Sequence, residues 1–144
     1  MFQTKDFGNT STTHLLECDL VAPTVDVNGA SVDLREYDGC LITVMVGESN
    51  DTLSGSVKIE LEIETSDDNS TWVDATDAVI TNSVTGTNTG TFAVIDDAAE
   101  DAAVFTTAYL GREAFIRPVV NVTGTHTNGT PISISAQRIR AKFP

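Results

Sequence analysis

Cysteine and histidine are scarce in this 144-residue chain, which has two of each: Cys18, Cys40, His14 and His126. No CxxC pair occurs and the histidines lie far apart, so a zinc site has no ligand set to build from. A core of this size needs no disulfide, and the expectation is two buried, reduced thiols. No run approaches the roughly 20 apolar residues that a bilayer-spanning helix requires. Residues 1–6 carry neither a basic leader nor an apolar signal core. The expectation is a soluble chain without a signal peptide and without a membrane partner. Basic residues are few as well, eight Lys and Arg against 21 Asp and Glu, for a net charge of −13. That balance opposes nucleic-acid binding, which needs basic surface against phosphate. A GxSxG elbow is absent and neither histidine has a flanking acid, so nothing marks a nucleophile or a general base. The reading is a non-enzyme with no cofactor.

Strand patterning is abundant. Val57-Lys58-Ile59-Glu60-Leu61-Glu62-Ile63-Glu64 alternates strictly between apolar and charged residues, the period of a strand with one buried and one wet face. A Ser/Asp/Asn cluster, residues 65–71, then turns the chain, and Trp72-Val73 restarts a β-type run. Similar runs fall at about 14–22, 31–35, 40–48, 56–65, 71–73, 91–95, 104–110, 114–122 and 131–142. Turn signals separate them: Val27-Asn28-Gly29, Asp38-Gly39, Asn50-Asp51, Asn69-Ser70, Gly86-Thr87-Asn88 and Asn128-Gly129. Eight or nine short strands at this spacing predict an all-β antiparallel sandwich, jelly-roll or immunoglobulin-like. Residues 1–24 read as an N-terminal arm and first strand, and residues 25–144 as the sandwich domain. The arm's apolar residues Leu15, Leu16, Leu20 and Val21 are candidates to engage a neighbouring subunit. Residues 96–103 have helix-friendly alanines and N-terminal acids, enough for one or two turns. Residues 81–91, rich in Thr, Asn, Ser and Gly, predict a mobile loop at one sheet end.

Three motifs stand out. Asp67, Asn69, Thr71 and Trp72 resemble the Asp-box hairpin, in which a carboxylate ties the turn and an aromatic anchors the returning strand. One box cannot build a propeller, so the reading is structural, with Trp72 buried under the hairpin beside Ile63 or Val73. Asp67 with Asp68, or Asp96 with Asp97, Glu100 and Asp101, supplies oxygen donors of the type calcium takes. Neither group has the spaced loop with its central Gly and closing Glu, and no metal is assigned. In the last strand Arg138, Arg140 and Lys142 alternate with Ile139, Ala141 and Phe143 and share one face. This basic row is either solvated or paired with the acidic row Glu60, Glu62 and Glu64, in this chain or a neighbour. The charge is polarised along the chain. Residues 1–111 hold 20 acids against three bases, a formal −17, and residues 112–144 hold one acid against five bases, +4.

Asn28-Gly29-Ala30-Ser31-Val32-Asp33-Leu34-Arg35-Glu36-Tyr37-Asp38-Gly39 runs into an apolar strand, residues 41–46. Glu64-Thr65-Ser66-Asp67-Asp68-Asn69-Ser70-Thr71-Trp72 and Tyr109-Leu110-Gly111-Arg112-Glu113-Ala114-Phe115-Ile116-Arg117 follow. Together these segments resemble the small β-sandwich proteins of the head genes of tailed bacteriophages and gene transfer agents, over about residues 25–142. The resemblance implies a virion structural protein, a decoration or cement protein. It would bind the major capsid protein on the outer capsid surface as a small oligomer, after a period in the host cytoplasm. Arg112 or Arg117 is then expected to bond a carboxylate of the other motif, Asp33 or Asp38. A carbohydrate-binding or host-adhesion module is the alternative from another class, and a head–tail connector or tail component the alternative within the virion.

Overall fold

The computed structural model describes residues 12–14 and 22–141; for residues 12–14, 140 and 141 it describes the backbone alone. Among the described residues, ten antiparallel strands form two sheets: β1 Thr12–His14, β2 Val27–Asn28, β3 Val32–Asp33, β4 Tyr37–Val46, β5 Lys58–Ser66, β6 Val73–Asp74, β7 Thr91–Ile95, β8 Val104–Tyr109, β9 Phe115–Thr123 and β10 Ile132–Ala141. Sheet A has the order β1-β10-β4-β8. Sheet B has the order β2-β9-β5-β6, with β3 also on β9 and β7 also on β5. The architecture is the predicted all-β sandwich.

Alternation builds the core. Ile42 and Val44 of β4 and Ile132, Ile134 and Ala136 of β10 face inward from sheet A. Ile59, Leu61 and Ile63 of β5, Ile116 and Val120 of β9, and Ile95 of β7 face them from sheet B. Full burial of each such Ile or Leu contributes about 1.5–3 kcal/mol, which makes this layer the main source of stability. Cys40 belongs to it as a free buried thiol, and burial pushes its pKa up to about 12. Cys18 lies outside the described residues.

Several local expectations are corrected. Val27-Asn28 is strand β2 on β9, and Asp38-Gly39 lies inside β4; neither is a turn. Gly39 is needed there because a Cβ would stand 2.5 Å from the Tyr109 carbonyl oxygen. Residues 96–103 make no α-helix. Glu100 N–H bonds the Asp97 carbonyl in a single turn (3.0 Å), and Ala102 takes a positive φ of 49°. The acids there serve the turn instead: Glu100 accepts from Asp96 N–H, Asp97 from Ala99 N–H and Asp101 from Ser49 N–H. Among the described residues the only helical piece is the 3-10 turn Asp77–Val79. The first strand spans 12–14 and pairs with β10 of its own chain. Leu15, Leu16, Leu20 and Val21 lie outside the described residues.

Candidate functional site

Each sheet has an outer face, and the two faces differ in chemistry. On sheet B the outer side of β5 carries Lys58, Glu60, Glu62 and Glu64. Their direct partners on β9 are Thr123, Asn121, Val119 and Arg117. This face is not wet, as the alternation had suggested: Glu60 and Glu62 are each only 1% exposed. The cover is the segment 81–90, expected to be a loose loop. Thr87 donates to Glu60 through its N–H (2.8 Å) and its hydroxyl (2.7 Å), and Asn88 Nδ2 donates to Glu62 Oε2 (3.0 Å). The segment is tied down by Val84 N–H to the Thr91 carbonyl and Gly90 N–H to Asp77 Oδ1, both 2.9 Å. Gly90 has φ 77°, a left-handed conformation that suits glycine, and so lets the chain turn into β7. A bulge at Leu61/Glu62 skips Phe92, so Thr91 stands opposite Glu62.

Two buried carboxylates one strand pitch apart therefore have opposite electrostatics. Burial raises the pKa of Glu60, but the two Thr87 bonds and Lys58 at 3.2 Å outweigh it and hold the carboxyl below its ordinary value. Glu62 has no cation of its own. Burial first, and the neighbouring Asp74 carboxylate second, push its pKa up to about 7 despite the amides of Asn88 and Asn121, which both donate to Oε2. Its other oxygen, Oε1, is buried without a hydrogen-bond partner. Glu64 accepts from Arg117 Nε at 2.5 Å, and the Arg117 guanidinium lies 4.5 Å from the centre of the Trp72 ring. An arginine of the last motif thus does bond a carboxylate of its own chain, but that carboxylate is Glu64. Asp33 instead pairs with Arg35, which also lies over Phe115.

The hairpin is tied by Asp68, not by Asp67. Asp68 Oδ1 accepts from the N–H of Ser70 (2.9 Å) and Thr71 (2.7 Å) and from the Ser66 hydroxyl (3.0 Å); Oδ2 accepts from the Thr71 hydroxyl. The backbone bonds from Thr71 and Ser70 hold its pKa well below the usual carboxylate range. Asn69 takes φ 59° at the tip, a conformation asparagine tolerates. Trp72 is half-buried and outside the core, carrying Arg117 in place of Ile63. Beside the hairpin, Thr65, Ser66, Asp67, Asp68, Thr71, Val73 and Glu113 line a surface pocket of about 460 Å³.

The outer face of sheet A is built otherwise. Leu41, Thr43 and Met45 of β4 stand in register with Ala108, Thr106 and Val104 of β8, and with Gln137, Ser135 and Ser133 of β10. None of these nine residues is charged. Met45 (56% exposed) and Val104 (63% exposed) are direct cross-strand partners, with Leu41 further along the same face. Arg138, the member of the basic row whose side chain is described, does not join this face. Arg138 pairs with Cys40 and follows Ile132, Ile134 and Ala136 on the inward side, with its guanidinium 4.5 Å from the Tyr37 ring centre. The Arg140 side chain and Lys142 lie outside what is described. The acidic row is in the other sheet, so β5 and β10 are not paired strands.

No protein-family model matches this chain, and no curated protein matches it closely.

Proposed function

We propose that this chain is a non-enzymatic virion structural protein. In this reading it decorates the outside of an assembled tailed-phage capsid and docks through the outer face of sheet A. The observation that carries the reading is the charge-free patch centred on Met45, Val104 and Leu41, in a chain of net charge −13. Isolated exposed apolar residues are ordinary, but a contiguous group free of charge is the composition of an interface centre. The resemblance supplies the partner. Two of its segments meet in sheet B, where Val32 and Asp33 pair with Ile116 and Phe115. Such a protein would act by linkage: binding the closed lattice but not loose subunits stabilises the lattice in proportion to the logarithm of its concentration over Kd.

A contact of this kind depends little on charge attraction. Raising salt from low to about 0.15 M shortens the screening length to roughly 8 Å and relieves repulsion between acidic neighbours. The test is co-sedimentation of the purified protein with heads assembled from a tailed-phage major capsid protein. Binding is expected to hold or strengthen over that salt range. A steep loss with added salt would point to attraction by a basic surface and overturn the apolar docking mode. Retention on a glycan array with no binding to heads would replace the reading with an adhesion module; the hairpin pocket has no aromatic in its lining, and Trp72 is not part of it.

A further inference from the structure

We infer that Glu62, Glu64 and Asp74 form a binding site for a divalent cation, with calcium as the preferred ion. Glu62 and Glu64 project from the same side of β5, and Asp74 stands directly opposite Glu64 on β6. One carboxylate oxygen from each lies within 4.8 Å of the others. An ion that holds oxygens at about 2.3–2.6 Å can touch donors up to roughly twice that distance apart, so the span suits calcium. Magnesium, which demands near-ideal octahedral geometry and dehydrates reluctantly, suits a site of protein carboxylates less well.

A cluster of acids alone would carry little weight in so acidic a chain. The second observation is the unpaired oxygen. Glu62 is 1% exposed, its Oε2 is held by Asn88 and Asn121, and its Oε1 is buried with no donor. A buried carboxylate oxygen without a partner is costly, and beside two further carboxylates a cation is the partner that satisfies all three. Arg117 already neutralises part of the charge by bonding Glu64 Oε2, which leaves the group net negative. Asp74 is exposed, so an ion has a route from solvent, and water can complete a shell of six to eight oxygens. The other acidic clusters differ: Asp68, Asp97 and Glu100 spend oxygens on backbone N–H groups of their own loops, and Asp101 accepts from the Ser49 N–H.

Trp72 reports on the site, because Arg117 bridges its ring and Glu64. The test starts from the full chain stripped with EDTA at pH 7.5 and titrated with calcium chloride by calorimetry and tryptophan emission. Saturable binding of one ion per chain is expected, with Kd in the range of about 10⁻⁴–10⁻³ M and a parallel change in emission. Glu62→Gln and Asp74→Asn should each weaken binding at least about tenfold, and the exposed Asp74 variant guards against loss of folding. Asp97→Asn, at the other acidic cluster, should leave Kd unchanged. Absence of both heat and emission change up to about 10 mM calcium overturns the proposal. So does binding that Asp97→Asn abolishes, or stability that responds to acidification but not to calcium, the signature of a proton shared between Glu62 and Asp74.

Discussion

The two outer faces reverse what their compositions suggest. The face of sheet B is the charged one, yet it is closed off, with Glu60 and Glu62 bonded to Thr87, Asn88 and Asn121. The face of sheet A has the apolar side chains, yet Leu41, Met45 and Val104 are exposed. A buried carboxylate needs hydrogen-bond donors, and the covering loop supplies N–H, hydroxyl and amide groups to Glu60 and to one oxygen of Glu62. A patch of Leu, Met, Val, Thr and Ser makes no such demand and can await a partner. The sandwich thus spends its polar groups internally on one side and leaves the other side exposed and uncharged.

The largest expected effect on binding attacks the open face. Met45→Glu combined with Val104→Lys should reduce capsid binding at least about a hundredfold, roughly 2.7 kcal/mol. Both positions are already exposed, so the melting temperature should stay nearly unchanged. Equal sedimentation of the double variant with heads would remove sheet A from the docking model.

The second effect concerns the closed face and pH. Glu62 titrates in the folded chain at about 7, above its ordinary 4.5, in a setting of Glu60, Glu64 and Lys58 on β5, Asp74 on β6 and Arg117 on β9. Between those values the folded state holds a proton that the unfolded state has released. The group's contribution is therefore fully present below about 4.5 and falls as pH rises towards 7. In EDTA, urea unfolding should show stability declining by on the order of 2 kcal/mol from pH 5 to pH 8. Glu62→Gln should flatten that decline; a wild-type profile level across the window would contradict the burial argument.

Two substitutions separate the hairpin from the core. Ile63→Ala removes a fully buried side chain and should cost about 2–5 kcal/mol. Trp72→Ala loses a half-buried ring and its contact with Arg117 and should cost about 1–2 kcal/mol. Equal losses from denaturant titration would place Trp72 back in the core. Last, Asp68→Ala should lower the melting temperature clearly more than Asp67→Ala, because four donors converge on Asp68. A ranking in the opposite order would restore the Asp-box alignment.

The fold was legible because alternation is a local property. Ile59, Leu61 and Ile63 against Lys58, Glu60, Glu62 and Glu64 declares a strand and assigns its two faces, whichever strands pair with it. Turn chemistry was legible to within a residue: the carboxylate that ties the hairpin was expected at Asp67 and lies at Asp68, because both precede Asn69 and only bond geometry tells them apart. Alternation reports the chemistry of a face and is silent on what covers it. The lid on Glu60 and Glu62 comes from Thr87 and Asn88, more than 20 residues along the chain, and leaves no pattern in β5. For the same reason Arg138, Arg140 and Lys142 suggested a solvated row, whereas Arg138 continues the inward side of β10. Which residues are inward was written in the chain's period of two. Which outward residues are buried, unpaired or open to a partner depended on long-range placement, since hydrogen bonds and desolvation act between segments the sequence keeps apart.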